Sequence, residues 1–146
     1  MKSIKLIGAG LVGMIVGMAA NMALVTVNLM IYPPPEGFDP EKDANAWPEF
    51  ISTLPAEAFL IPFLAHMAQA FFGGWAAARF TPSYPLRLAL VIGILSMIGG
   101  IMNQSMIAAP TWTLLELPFY LVFAYLAGNM EKNRRSLLNP AGTGSE

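Results

Sequence analysis

The chain has 146 residues, of which 55% are hydrophobic and only 12% charged, with a formal net charge of −1. A soluble domain carries about twice that share of charge, so these proportions and a mean hydropathy of +0.56 describe an integral membrane protein. The absence of cysteine excludes disulfides, thiolate metal sites and cysteine nucleophiles, and leaves the compartment open.

The N-terminus begins like a signal peptide, with Lys2 and Lys5 ahead of an apolar run. That run continues to Ile31, well past the ~7–15 residues of a signal core, and no small-residue site ends it convincingly. It reads instead as the first of four membrane helices, over about 5–31, 54–79, 87–109 and 112–130. At ~1.5 Å rise per residue each is close to or above the length that ~30 Å of hydrocarbon demands. The expected fold class is an all-α integral membrane protein, a four-helix transmembrane bundle, in a single domain over 1–140. Ala141 to Glu146 read as a linker-like tail and are set aside. Seven of the eight basic residues (Lys2, Lys5, Arg79, Arg87, Lys132, Arg134 and Arg135) lie at the N-terminus, the second loop or the C-terminus. The positive-inside rule then places both termini in the cytoplasm and the 32–53 loop outside, as in a multi-pass protein of the plasma membrane, the inner membrane in a bacterium.

On the first helix, ~100° per residue brings Gly10, Gly13, Gly17, Asn21 and Asn28 onto one stripe about 80° wide. Gly13-x-x-x-Gly17 permits close backbone approach to another helix of this chain or of a second copy. The two asparagines add amides that need partners in hydrocarbon. In the first loop Glu36, Asp39, Glu41, Asp43 and Glu49 face only Lys42. Pro33-Pro34-Pro35 cannot continue a helix, and Asp39-Pro40 predicts a short surface helix through about Trp47, with Trp47 and Phe50 as interfacial anchors. The loop is expected to be a packed cap, or a lid whose carboxylates draw cations toward a site below.

The second segment, Glu57 to Arg79, is the one around which the others are expected to pack. It carries Glu57, Gln69 and the only histidine, His66, close to mid-span. Such groups in a membrane are paired, and often functional. On the third helix Ser96, Gly99 and Asn103 share a face, with Gly100 and Gln104 beside it. The fourth aligns Glu116, Tyr120, Phe123 and Ala127, and Thr113-x-x-Glu116 matches a capping box in which the glutamate folds back to its own helix start. Glu57 also suits a first helical turn. The halves resemble each other, Asn28 matching Asn103 and Glu57 ahead of Pro62 matching Glu116 ahead of Pro118. That suggests a doubled two-helix unit about an axis along the membrane normal.

Polar side chains concentrate toward the outside, which describes a pocket entered from that face rather than an open channel. The expected pocket comprises Glu57, His66, Glu116, Asn21, Asn28, Gln69, Asn103, Gln104 and Tyr120. Two carboxylates close together share a proton or cation, and a central histidine accepts a proton or ligates a metal, for which Glu57, His66 and Glu116 are the candidates. Gly10, Gly13, Gly17 and Gly99 are the expected packing positions. Met14, Met18 and Met22, with Met102-x-x-x-Met106, give paired MxxxM spacings that resemble the filter of eukaryotic high-affinity copper transporters. That resemblance covers these residues alone. The family's extracellular Met/His-rich segment has no counterpart here, and packing is the reading adopted.

Phosphate-binding glycine loops, HExxH, GxSxG and basic-aromatic strips are absent, so the sequence offers no nucleic-acid partner and no assigned catalytic residue or cofactor. The function expected is proton- or cation-linked transport or binding of a small solute. The alternatives are a membrane enzyme acting on a lipid-soluble substrate through a Glu/His site, and a structural subunit. The expected partners are the lipid bilayer and, through the glycine seam, a second copy of the chain.

Overall fold

The computed structural model describes residues 2–107 and 109–138, so the expected tail lies outside the described residues. Among the described residues are five α-helices and no strand: α1 (Lys2–Ile31), α2 (Ala46–Thr53), α3 (Leu60–Phe80), α4 (Pro85–Met106) and α5 (Glu116–Leu138). Short 3-10 turns, Ala56–Phe59 and Thr111–Leu115, lead into α3 and α5. Four stretches are long and apolar enough to cross a membrane: Ser3–Ile31, Ala56–Phe80, Pro85–Met106 and Thr111–Leu138.

Close contacts set the packing. A Cβ on Gly13 would come within 2.7 Å of Gly73 O and 2.6 Å of Ala77 Cβ, and one on Gly17 within 2.7 Å of Gln69 O. Helices α1 and α3 are therefore antiparallel, with their backbones nearly touching. Gly74 faces Ala89 on α4 and Ala124 and Ala127 on α5. Gly93 and Gly128 let α4 and α5 approach each other in the same way, again antiparallel. Helix α3 packs extensively against all three other long helices, whereas α1 meets α4 only marginally. Gly10 has only Leu88 Cδ1, 4.0 Å away, and Gly99 has nothing within 4 Å. The close position on that part of α4 is its neighbour Gly100, turned toward Tyr120.

Several boundaries differ from the sequence reading, for local reasons. Helix α5 runs on to Leu138 because Glu131, Arg134 and Arg135 pair at i+3 and i+4 spacing and carry the helix past its apolar part. Helix α4 starts at Pro85, since a proline's missing N–H costs nothing at the first position. It stops at Met106, ahead of the extended residue Ile107. In the first loop the helix begins at Ala46 instead of near Asp39. The Asp39 side chain is spent on a turn, accepting from the amides of Glu41 and Lys42 at 3.2 and 3.3 Å. Lys42 Nζ, 2.6 Å from the carboxylate, holds Asp39 below the usual carboxylate range. Phe38 meets Trp47 and Phe50 edge to face, and Phe50 is buried.

Candidate functional site: a buried carboxylate, histidine and tyrosine

Two prolines fix where the polar groups of α3 and α5 point. Pro62 and Pro118 each occupy the third position of their helix, where no intrahelical bond is lost, and each helix is preceded by a 3-10 turn after another proline, Pro55 or Pro110. The two halves thus share a local design. Aligned on these prolines, Glu116 corresponds to Leu60 and Glu57 to Thr113, so the two glutamates are not equivalent. Glu57 sits in the 3-10 turn and is exposed, whereas Glu116 opens α5 and is 1% exposed. The pairing of Glu57 with Glu116 expected from their shared depth is not formed.

Glu116 meets His66. The His66 Nδ1 lies 2.8 Å from Glu116 Oε2, and the Tyr120 hydroxyl donates to Oε1 at 3.4 Å. The His66 and Tyr120 rings stack with centroids 5.8 Å apart, and Tyr120 is 1% exposed. Parallel, adjacent α3 and α5 create this meeting: His66 is one turn past the proline turn of α3, and Glu116 and Tyr120 are one turn apart on α5. Gly100 makes room for the tyrosine, because any Cβ there would collide with the phenol oxygen.

The Thr113–Glu116 capping box is not made. Thr113 Oγ1 donates to Pro110 O at 2.7 Å and accepts from Gln104 Nε2 at 2.6 Å, while Glu116 turns away to the histidine. An ionised carboxylate only accepts, so against one Nδ1 is the donor, which leaves Nε2 as the ring's other nitrogen. That nitrogen has no partner among the described residues and is not sealed off, the side chain being 16% exposed.

The remaining expected pocket residues divide. Gln69 donates to Ser96 Oγ at 3.4 Å, one turn along α3 from His66. Asn28 is buried, and its Oδ1 is enclosed without a partner among the described residues. Asn21 is half-buried, and Asn103 is exposed. Among the described residues no three His, Cys, Asp or Glu side chains gather as a metal site, which separates Glu57 from His66 and Glu116 as a ligand set. The methionines of the MxxxM pairs do not converge: Met18, Met22, Met102 and Met106 are all exposed on outer faces. A cleft of about 940 Å³ opens within the first loop, lined by Glu36, Asp39, Lys42, Asp43 and Glu49 among others, and it does not reach His66.

One polar cluster went unanticipated. Glu131, 1% exposed, accepts from Arg134 through Nε at 2.8 Å and Nη2 at 2.7 Å, and from Arg135 Nε at 3.0 Å. The spacing of Glu131, Arg134 and Arg135 was the available signal.

The chain matches no protein-family model, no curated protein and no solved structure.

Proposed function

We propose that this chain is a multi-pass protein of a bacterial inner membrane, a four-helix bundle with both termini cytoplasmic, in which His66, Glu116 and Tyr120 hold a proton linked to transport or binding of a small solute. The observation that carries this reading is the 2.8 Å contact between His66 Nδ1 and a carboxylate that is almost wholly buried. Intramembrane ionisable pairs of this kind mark proton relays and substrate sites. Protonation at the open Nε2 would set an imidazolium against Glu116, and deprotonation would restore a neutral ring, so the pair stores and returns one proton at a fixed position. Gln69, partly open and one turn along α3 from His66, supplies a neutral polar group. The two-helix doubling belongs to the same reading, supported by the repeated proline and 3-10 entry of α3 and α5.

The test is proton movement into liposomes carrying the purified protein and an internal pH-sensitive dye, with a potassium diffusion potential as driving force and a panel of amino acids and small cations as solutes. Solute-dependent uptake that is lost in His66→Gln and Glu116→Gln, both still helical and monodisperse, is the expected result. Flux equal to that of empty liposomes for every solute would sink it.

A second reading has an observation of its own. His66 and Tyr120 satisfy both Glu116 oxygens, and the cleft in the first loop stops short of them, as suits a purely structural clamp between α3 and α5. Under that reading the substitutions change stability and nothing else.

A further inference from the structure

At the end of the bundle where α3 and α5 finish, three guanidiniums crowd one carboxylate. Arg134 makes a two-pronged contact with Glu131, and Arg135 adds a third bond to the same side chain. Arg135 Nη2 also donates to Arg79 O at 3.2 Å, Thr81 O at 2.9 Å and Ala78 O, so the open carbonyls ending α3 share in neutralising it. Arg79 is held more loosely. Its Nη1 stands 3.7 Å from Glu131 Oε1, beyond hydrogen-bond reach, and its side chain is 45% exposed. Among the described residues three positive charges therefore gather on one negative charge, and Arg79 is the one that Glu131 holds least closely.

We infer that Arg79, beside Arg134, binds the phosphate of an anionic phospholipid. A guanidinium presents a planar fork of donors suited to phosphate oxygens, and the surplus charge favours a headgroup that brings no cation of its own. The helix also provides for acyl chains. Trp75 and Phe72 lie four and seven residues before Arg79 on the same face of α3, and both are exposed. An aromatic strip leading to a charged fork fits a lipid lying along the helix better than a free phosphate ion. The inference requires only that these helices stand in a bilayer and is independent of any chemistry at His66.

Native mass spectrometry of the detergent-purified chain with added phosphatidylglycerol or phosphatidylcholine tests it, with Arg79→Gln, Arg79→Lys and Lys132→Gln as variants. Phosphatidylglycerol should be retained about fivefold better than phosphatidylcholine, on the scale of one basic residue at a lipid surface. Raised salt should shrink that preference. Arg79→Gln should abolish it, Arg79→Lys should keep part of it, and Lys132→Gln should leave it near the parent value. Equal retention of the two lipids by the parent chain, a preference unchanged in Arg79→Gln, or displacement of the lipid by inorganic phosphate alone would each overturn the assignment. If Arg79→Gln does not fold, the lipid comparison and salt response of the parent chain decide.

Discussion

Glu116 stands fifty residues from His66 in the chain and 2.8 Å from it in the fold. The contact joins two parallel helices, and it takes the carboxylate away from the role its sequence context suggested. Removing either partner takes from the other its closest polar contact, and leaving a buried polar group underpaired costs more than the pair itself contributes. His66→Gln and Glu116→Gln should therefore be non-additive, with a coupling of about 0.5–3 kcal/mol in a denaturation cycle in detergent micelles. Glu57→Gln, in the same background, should stay within about 0.5 kcal/mol of the parent and add simply to Glu116→Gln. Coupling between the two glutamates, and none between His66 and Glu116, would reverse the assignment of partners.

Neighbouring glycines on α4 should respond in opposite ways. A methyl group at Gly100 collides with the Tyr120 hydroxyl, while Gly99 faces open space. Gly100→Ala is expected to cost about 1–3 kcal/mol as overpacking, and to weaken the tyrosine's bond to Glu116. Gly99→Ala should be neutral or slightly stabilising, since alanine is the better helix former. Thermal unfolding of the two variants side by side checks this, and similar melting temperatures would count against the placement of Tyr120.

Between α1 and α3 the separation is set by Gly13, Gly17 and Gly73. Gly17→Leu should lower the melting temperature strongly, or push α1 out of the bundle, whereas Ala19→Leu on the exposed face should be tolerated. Equal effects at the two positions would show that this close approach does not hold α1.

The proposed orientation is open to direct labelling. A cysteine at Ala44, in the acidic loop, should react with a membrane-impermeant maleimide on intact cells, and one at Asn133 should react only after permeabilisation. The opposite pattern would invert the bundle and remove the case for a site entered from outside.

How far the sequence revealed this arrangement depended on the range of the interaction. The apolar runs and the Gly13-x-x-x-Gly17 spacing are local patterns, and they located the long helices and the glycines lying against α3. Helix ends were harder, because Glu131 reads as the polar end of an apolar run until its arginines one turn later are counted with it. The site was legible by residue type but not by pairing. Glu57 and Glu116 were expected at one depth, yet Glu57 stands five residues ahead of its proline and falls in the exposed 3-10 turn, whereas Glu116, two residues ahead of its own, opens α5 and is buried. That His66 would choose Glu116 follows from α3 and α5 being adjacent, which no spacing within either segment encodes. Thr113 misled for a related reason: a capping box assumes a free glutamate, and this one was already engaged across the bundle.

Arg135 closes the carbonyls at the end of α3 from a position more than fifty residues later in the chain. During synthesis those carbonyls, and all of α4, are made before the side chain that caps them exists. The end of α3 is consequently finished by the last helix to arrive. A chain cut short of Arg135 would leave those carbonyls without this donor, so the end of α3 depends on a side chain that α5 supplies.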